Sequence, residues 1–391
     1  MRILFVAMPH SVHTARWISQ IADLQHELHL FPSTEAAPHP SLKRVRLHCV
    51  GIGFRTISRV VNILKRKRAS RRIPLFALFT ALFDRSVYLK KVIKRVKPDI
   101  IHSLEIQHAG YLTFAARKRL GGRFPTWIVT NWGSDIYFFG RLAEHRNKIK
   151  SVLAACDYYS CECQRDVKLA EDMGLKGEIL PVLPNTGGFD LKHAYKLRRK
   201  GLTSSRRLIL LKGYQHWSGR ALVGLRSIEL CRQELQGYHV AIYSANNDVK
   251  IAAELVSQLT GIPIDIIFPN SYDEMLNFFG NARVYIGLGI SDGISTSLLE
   301  AMIMGAFPIQ SGTSCADEWI ENGKTGLIVP PEDPEIIAAA IRRAVTDDAL
   351  VNSAAEENMR VATERLDRSI IQPQVIAMYE KIAAKIRLKK E

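Results

Sequence analysis

The sequence predicts an α/β protein made of two successive Rossmann-like domains. Short apolar segments alternate with segments of helical periodicity in both halves of the chain, as in parallel sheets joined by crossover helices. The alternation lapses once, over the polar and basic residues 190–207, and then restarts. The length of 391 residues suits two domains. We expect domains at 1–190 and 207–370, a linker at 191–206, and a C-terminal helix or tail at 371–391 that packs back on the first domain.

The first strand is predicted at 2–8, because RILFVAM is continuously apolar, as in a parallel strand buried on both faces. Period-3.6 apolar spacing predicts a helix at 14–24. The same reasoning predicts the remaining elements of the first half, which are strands at 27–31, 98–104 and 127–130 and a helix at 109–120. In the second half it predicts a helix at 227–235 and strands at 207–213, 239–245, 264–268, 282–289, 307–310 and 325–329.

The positive charge is concentrated in one segment. The chain carries a formal charge of +16, and residues 54–97 hold fourteen basic residues against one acidic residue. The remainder is nearly neutral, and its apolar content is that of a globular protein, which excludes disordered, collagen-like and disulfide-scaffold classes.

The basic segment has three open interpretations. Its first half is amphipathic, and a cluster of charges then precedes the apolar run at 73–83. It could dock on an anionic membrane surface, since each Lys or Arg near such a surface contributes about 1 kcal/mol. It could instead be a solvated helix beside a buried one, or bind nucleic acid, although no nucleic-acid module is recognisable. The membrane interpretation would use Lys65, Arg66, Lys67, Arg68, Arg71, Arg72, Phe76 and Phe79.

The cysteine pattern indicates reduced thiols in a cytosolic protein. None of the six cysteines belongs to a C-x-x-C pair, so we expect no metal site. The first apolar segment ends at Pro9, too early for a signal-peptide core, and the longest apolar run has eleven residues, too few to span a bilayer.

The most informative stretch is 290–309. A loop at 291–293 precedes a helix predicted to begin near Ser295, with apolar residues on one half of the helical wheel. Thr296, Ser297 and Glu300 fall on the other half, so we expect an exposed polar face. The N-terminal amides and the positive end of the helix dipole would bind phosphate. The alternative is an ordinary helix with Ser295 as N-cap and a solvated Glu300.

Residues 291–341 resemble the nucleotide-sugar-binding half of glycosyltransferase family 4, the retaining group 1 transferases of GT-B fold. The shared pattern is two acidic residues separated by seven, then Ala-Met, a Gly-Pro-like strand start and an Asn-Gly turn. In this chain these features are Asp292 and Glu300, Ala301 and Met302, Gly305 and Pro308, and Asn322 and Gly323.

The resemblance implies the roles of the donor-side residues. Glu300 would hold the ribose hydroxyls and Asp292 the donor sugar, although the family usually has the longer Glu at the latter position. Lys212 and Arg220 would stabilise the departing diphosphate, the alternative for each being a solvated loop charge. Residues 269–272 would contact the base through backbone groups, so its identity is not legible. The remaining donor-binding residues would be Gly293, Ile294, Ser295, Thr296 and Ser297 at the diphosphate, and Pro269 and Tyr272 at the base.

A weaker resemblance covers the first domain. The segment 130–139 stands where the family has a catalytic-loop histidine, but Trp132 replaces it, and an indole can donate a hydrogen bond but not accept one. Asp135 would contact sugar or acceptor hydroxyls, or else cap a helix. His13 could orient the acceptor, or be a solvated loop histidine.

The family implies retaining, metal-independent transfer from a nucleoside-diphosphate sugar, with UDP or GDP as the nucleotide and no cofactor. The two domains would face each other across a cleft. A diphosphate oxygen would take the acceptor's proton. The absence of a D-x-D motif agrees with metal-independent transfer. The acceptor would be a saccharide or lipid-linked saccharide of bacterial cell-envelope polysaccharide or lipopolysaccharide synthesis, used at the inner face of the cytoplasmic membrane. Alternatives are a non-catalytic GT-B-like partner protein and a sugar-nucleotide epimerase of related fold.

Overall fold

The computed structural model describes residues 1–48 and 84–388. These residues form two compact units, Met1–Gly187 with Pro373–Glu391 and Gly188–Gln372. The residues expected to dock on a membrane, Lys65 to Phe79, lie outside the described part. None of the helices in residues 1–48 and 84–388 combines the length and the hydropathy that a bilayer-spanning segment needs.

The first unit is built on a parallel sheet of seven strands. In chain order the strands are β1 (Arg2–Ala7), β2 (Glu27–Pro32), β3 (Arg46–Leu47), β4 (Ile100–Leu104), β5 (Thr126–Thr130), β6 (Tyr158–Ser160) and β7 (Glu178–Ile179). Their order across the sheet is β3-β2-β1-β4-β5-β6-β7. As predicted, β1 is buried on both faces, because parallel neighbours pair with both of its edges and helices cover the sheet.

The helices of this unit lie between the strands. They are α1 (Val12–Ser19), α2 (Arg85–Val96), α3 (Tyr111–Leu120), α4 (Ser134–Tyr137), α5 (Ala143–Leu153) and α6 (Gln164–Asp172). A π-helical turn at Ile106–Gly110 precedes α3, and a 3-10 turn at Phe139–Arg141 follows α4. The helix predicted at 14–24 is α1, which begins two residues earlier because Ser11 caps it through the amides of His13 and Thr14.

The second unit has a parallel sheet of six strands. They are β8 (Leu208–Lys212), β9 (His239–Tyr243), β10 (Ile264–Ile267), β11 (Ala282–Gly287), β12 (Phe307–Ser311) and β13 (Leu327–Val329), in the order β10-β9-β8-β11-β12-β13. The strand predictions are confirmed to within two or three residues at each end. Two Rossmann-like units are therefore the architecture, as the alternation predicted.

The helices of the second unit cover both faces of its sheet. They are α7 (Leu191–Leu197), α8 (Ala221–Leu230), α9 (Asn247–Thr260), α10 (Tyr272–Asn281), α11 (Thr296–Met304), α12 (Pro334–Thr346) and α13 (Asp348–Arg365). The helix predicted at 227–235 is α8, which begins six residues earlier. The last helix, α14 (Arg368–Leu388), passes from this unit into the first.

Residues 191–206, expected as a linker, contain helix α7 and a 3-10 turn at Thr203–Ser205. The fully buried Arg206 follows, and its guanidinium donates to the carbonyls of Ala282, Met304 and Gly305 at 3.1–3.2 Å. These bonds all come from one terminal nitrogen, and Nε of Arg206 has no hydrogen-bond partner among the described residues. The basic composition that suggested a linker is here part of a packed structure.

A buried chain of hydrogen bonds attaches α14 to the first sheet. The Trp17 indole donates to the Tyr379 hydroxyl at 3.0 Å, and that hydroxyl lies 2.6 Å from Nδ1 of His102. The other imidazole nitrogen lies 2.6 Å from the Thr130 hydroxyl. Burial lowers the pKa of His102 to about 3, so the ring is neutral. Because the indole can only donate, the Tyr379 proton goes to Nδ1 and His102 donates from Nε2 to Thr130.

Candidate active site

The carboxyl edge of the second sheet holds the donor-side residues expected from the sequence. The chain runs from β8 outward through β9 to β10 and returns to β11 on the other side of β8. Open parallel sheets bind ligands at such a switch point. Lys212 ends β8 and Gly287 ends β11, so the loops that follow them lie on either side of this point.

Helix α11 begins at Thr296 with Ser295 as its N-cap, as predicted. The Ser295 side chain makes no capping hydrogen bond, and its buried hydroxyl has no hydrogen-bond partner among the described residues. Oδ1 of Asp292 accepts a hydrogen bond from the Gly293 amide at 3.0 Å, which fixes the loop before the helix. The first turn of α11 therefore has no side-chain cap, and its amides can receive an anion.

Buried polar atoms converge beside the end of β11. The Tyr285 hydroxyl is buried beside the hydroxyls of Ser295, Tyr243 and Ser297, and the carboxamide oxygen of Gln310 is buried with no hydrogen-bond partner among the described residues. Both lie so close to Gly287 that a Cβ at that position would collide with them. The Tyr243 hydroxyl donates to Ser297 at 2.8 Å, and burial raises its pKa well above the ordinary range. Unsatisfied buried polar atoms are rare in folded proteins, and here they indicate a ligand site.

Lys212 is charged and lies within electrostatic range of both acidic residues of the motif. Burial opposes its charge, but the Tyr285 phenol and the carboxylates of Asp292 and Glu300 outweigh burial, so the pKa of Lys212 is raised. Its Nζ lies 4.6 Å from the centre of the Tyr214 ring, a cation–π distance. The structure thus brings Lys212, Asp292 and Glu300 together.

Arg220 is held in the same loop cluster but is engaged by local partners. Its backbone amide donates to the Leu288 carbonyl at 2.9 Å, which joins the loop before α8 to the loop after β11. Its Nε donates to Glu332 at 2.8 Å, and one terminal nitrogen donates to the Gly219 carbonyl at 2.8 Å. Glu332 is largely exposed, so an incoming anion would compete with it for the guanidinium.

The expectation of an exposed polar face on α11 is wrong. Ser297 and Glu300 are buried, with 7% and 6% of their surfaces exposed, and Thr296 is half-buried. The helix packs on its own sheet and also against α7, α10 and α13, which leaves only Thr296 in its first turn partly exposed. The alternative of a solvated Glu300 is wrong for the same reason.

Pro269 and Tyr272 lie at the carboxyl end of the edge strand β10. Ser271 caps α10 by accepting from the Glu274 amide at 3.1 Å, and the Glu274 carboxylate accepts from the Asn270 amide at 2.7 Å. These reciprocal bonds fix the turn between strand and helix. Tyr272 is exposed beside them.

In the first unit, Asp135 is buried at the carboxyl edge of the sheet. Its Oδ2 accepts from the amides of Trp132 and Ile106, each at 3.0 Å, and so joins the loop after β5 to the π-helical turn after β4. Burial, reinforced by the nearby Glu105 carboxylate, raises the pKa of Asp135 to about 8. The N-cap of α4 is Gly133, so the alternative role of Asp135 as a helix cap is wrong.

Glu105 and His108 form a second polar group in the same loop. Glu105 has φ 77° and ψ 157°, a conformation that is strained for any residue but glycine. Its buried carboxylate accepts from the amides of His108 and Ala109, and one oxygen lies 3.2 Å from Nδ1 of His108. This hydrogen bond raises the pKa of His108, whose side chain is exposed.

His13 and Trp132 lie together at this edge. His13 is in the first turn of α1, directly after β1, and its ring centre is 5.7 Å from that of Trp132 in an edge-to-face arrangement. The loops after β1 and β5 thus bring His13 and Trp132 together, and Asp135 is bonded to the Trp132 amide. His108 follows β4 at the same edge and lies within electrostatic range of Asp135.

Tyr285, Gln310, Glu105 and His108 were missed by the sequence interpretation. Tyr285 and Gln310 lie inside buried strands, where the pattern gives no functional signal. Glu105 and His108 did carry a signal, because polar residues directly after the buried strand β4 must lie at the carboxyl edge.

The two halves of the chain match two related families. Residues 2–160 match the family described as glycosyl transferase 4-like, and residues 208–347 match the family described as glycosyl transferases group 1. The chain belongs to the group 1 glycosyltransferases. It is therefore an enzyme, and the non-catalytic alternative is wrong. No curated protein sequence matches this glycosyltransferase.

Solved structures share the fold of this glycosyltransferase over nearly its whole length. The α,α-trehalose 6-phosphate synthase of Burkholderia multivorans is 14% identical, with a TM-score of 0.72, and the match covers 100% of this chain and 98% of that one. The sucrose-phosphate synthase of Thermosynechococcus elongatus is 14% identical with a TM-score of 0.69, covering 98% and 100%. The Anabaena protein HepE in complex with UDP-glucose is 12% identical with a TM-score of 0.67, covering 97% and 100%. These matches show the GT-B fold.

Proposed function

We propose that this glycosyltransferase moves a sugar, with retention of anomeric configuration, from a nucleoside-diphosphate sugar to a saccharide or lipid-linked saccharide. The observation that carries the proposal is the uncapped N-terminus of α11, which lies beside Lys212, Asp292 and Glu300 at the switch point of the second sheet. A diphosphate at this point would meet helix amides and a lysine ammonium, and a buried carboxylate one turn into the helix could accept hydrogen bonds from ribose.

The proposed roles follow from charge. The diphosphate gains negative charge as the glycosyl bond breaks, and Lys212 and the α11 amides are positioned to stabilise it. Arg220 would contribute on exchanging Glu332 for a phosphate oxygen. Asp292 would contact the donor sugar, and Pro269 and Tyr272 would contact the base. HepE binds UDP-glucose and a trehalose-6-phosphate protein of E. coli binds UDP-2-fluoro glucose, which favours a uridine nucleotide here.

Calorimetric titration with UDP and with GDP tests the donor site. We expect one of them to bind, and we expect Glu300→Ala to lower the affinity by about 10- to 100-fold, because each hydrogen bond to a charged group contributes about 1.5–3 kcal/mol. The isosteric Glu300→Gln guards against loss of folding. The matched control is Glu254→Ala on the exposed surface of α9, which should bind as the wild type does. Absence of binding to either nucleotide would exclude the proposed donor class.

The proposed mechanism needs no protein base. The acceptor hydroxyl would attack the face from which the diphosphate leaves, and a diphosphate oxygen would take the proton, so catalysis is mainly positioning and charge stabilisation. The anomeric coupling constant of the product, measured by proton NMR, tests retention. Undiminished activity in EDTA is the expected result for metal-independent transfer, and a product of inverted configuration would contradict the mechanism.

We propose that the acceptor binds in the first unit at the carboxyl edge occupied by His13, Trp132 and Asp135. Asp135 would act by holding the loop after β5, since its carboxylate already accepts two backbone amides. A lipid-linked acceptor of bacterial cell-envelope polysaccharide or lipopolysaccharide synthesis would reach this unit from a membrane surface, and the basic segment 54–97 belongs to the same unit. The test compares two rates for the His13→Ala variant, namely hydrolysis of the donor and transfer of the sugar to the acceptor. Slower transfer with unchanged hydrolysis would support an acceptor role, and an equal loss of both would indicate a donor role.

A further inference from the structure

A cavity of about 550 Å³ lies in the first unit at the edge of the sheet opposite to the candidate active site. It is lined by residues at or just before the first residues of four neighbouring strands, namely Arg2 of β1, Asp99 before β4, Pro125 before β5 and Asp157 before β6. All four strands are parallel, so these residues lie at the amino edge. His13, Glu105 and Asp135 follow the same strands at the carboxyl edge. The cavity, here called the amino-edge cavity, is thus separate from the proposed acceptor region.

Cations predominate around the amino-edge cavity. Arg2, Lys94, Lys97 and Arg123 line it, against two acidic residues. Within the described part of the chain, the side chains of Lys94, Lys97 and Arg123 form no ion pair. Unpaired like charges that share one cavity repel each other, and a bound anion would remove that repulsion.

Both acidic residues of the lining accept hydrogen bonds from backbone amides. Asp99 accepts from the Arg2 amide at 2.9 Å, and Asp157 accepts from the Trp127 amide at 2.8 Å. Both bonds fix strand ends. Arg2 also donates to the Val96 carbonyl at 2.7 Å, which holds its guanidinium beside the end of α2. Both carboxylates keep their negative charge, so the lining holds four cationic side chains against two anionic ones.

The remainder of the lining is apolar. Ile93, Leu120, Phe124 and Ile386 contribute side chains from α2, α3, the turn before β5 and α14. The volume falls within the roughly 300–1,000 Å³ of small-molecule sites. Six of the thirteen lining residues are charged, so the cavity is more polar than most such sites and suits a ligand with both a charged and an apolar part. A free inorganic ion would leave most of this wall without a contact.

We propose that the amino-edge cavity binds an organic phosphate, whose phosphate group contacts the cations and whose apolar part lies against the apolar wall. This inference does not depend on the proposed function. A soluble phosphorylated molecule and the headgroup of a phosphorylated lipid present the same chemistry to the cavity, so the experiment uses a probe from each source.

The test measures phosphate binding by the full chain with saturating UDP present, so that any donor-site phosphate contacts are already occupied. Phenyl phosphate and inorganic phosphate are the soluble probes, and phosphatidylcholine vesicles containing phosphatidic acid are the lipid probe. The triple variant Lys94→Gln, Lys97→Gln and Arg123→Gln should lower the affinity for phenyl phosphate at least ten-fold, and its vesicle binding is measured alongside. Inorganic phosphate should bind more weakly than phenyl phosphate, because it lacks the apolar contact.

The matched control is Lys150→Gln, Lys168→Gln, Lys176→Gln. It removes the same charge from exposed positions of the same unit that do not line the cavity, and it should bind within two-fold of wild type. Equal losses in the two variants would overturn the proposal, because binding would then follow net charge alone. Absence of binding to every probe by the wild type would overturn it as well. Loss of phenyl phosphate binding alone assigns the site to a soluble ligand, and loss of both phenyl phosphate and vesicle binding assigns it to a lipid headgroup. Loss of vesicle binding with phenyl phosphate binding unchanged would overturn the proposal, because Lys94 and Lys97 also belong to the basic segment 54–97.

Discussion

At the scale of single residues, Asp135 shows how a buried carboxylate can organise a site by staying protonated. Both of its described hydrogen bonds come from backbone amides of two different loops, and burial disfavours its ionised form. The folded state therefore holds this proton to a higher pH than the unfolded chain does. The stability that this contributes is complete below the ordinary pKa of 3.8 and is lost as the pH rises to about 8.

Replacing Asp135 by Asn should remove this dependence, because the amide is neutral at every pH and its oxygen can still accept from Trp132 and Ile106. We expect the melting temperature of Asp135→Asn, relative to wild type, to rise between pH 5 and pH 8.5. The control Asp172→Asn, at an exposed position on α6, should run parallel to wild type. Parallel curves for both variants would show that Asp135 ionises in the folded protein as it does in an exposed position.

The candidate site residues that the sequence identified lie within one short segment, where their spacing along the chain sets their relative positions. Asp292, Glu300 and Ser295 belong to one strand–loop–helix segment, so their spacing was enough to place them. Tyr285 and Gln310 come close to each other only because β11 pairs with β12, and no spacing along the chain encodes that pairing. The strained Glu105 is likewise visible only in the backbone.

At the scale of elements, the positions of the strands were predictable from the sequence, but the elements that pack around each helix were not. A buried parallel strand is apolar on both faces, so its sequence alone identifies it. The wheel of α11 has a polar half, which suggested exposure, yet Ser297 and Glu300 of that half are buried because the helix packs against α7, α10 and α13 as well as its own sheet. Burial of Glu300 depends on where other helices pack, and one helix's periodicity does not contain that information.

At the scale of elements, the contribution of the α14 attachment to stability can be tested by removing a single hydroxyl group. Tyr379→Phe removes one hydroxyl and leaves the Trp17 indole and Nδ1 of His102 without partners in a buried site. We expect the free energy of unfolding to fall by about 2–4 kcal/mol, since each unsatisfied buried group costs about 1–3 kcal/mol. Urea denaturation followed by circular dichroism measures it.

The matched control for that measurement is Tyr195→Phe. The Tyr195 hydroxyl bonds the exposed Thr363 at 3.0 Å, so water can replace the lost partner and the change should stay below about 1 kcal/mol. Equal effects of the two substitutions would contradict the importance of the buried chain from Trp17 to Thr130.

At the scale of the whole molecule, the charge of +16 is a property of one segment, because residues 54–97 account for +13 of it. The described end of that segment is α2, whose Lys91, Lys94 and Arg95 are exposed. We expect the full chain to bind vesicles that contain anionic phospholipid, and to be released as salt screens the charges.

Replacing Lys65, Arg66, Lys67 and Arg68 by Gln should weaken vesicle binding at least about 100-fold, because each basic residue near the surface contributes about 1 kcal/mol. Co-sedimentation at fixed ionic strength measures the effect. The control replaces Lys150, Lys168, Lys176 and Lys192, which are exposed and lie outside the segment. An equal loss in the control would show that only total charge matters.

The discontinuity of the first unit has a consequence for its biosynthesis. All of its described strands precede Gly187, but the part of α14 that belongs to it, with Tyr379, lies beyond the whole of the second unit. On the ribosome, residues 188–372 must emerge before the hydroxyl that joins Trp17 to His102 exists. Until then the nascent first unit carries an uncovered indole and imidazole. The second unit can close as soon as it has emerged, so the domain translated first is the one that finishes folding last.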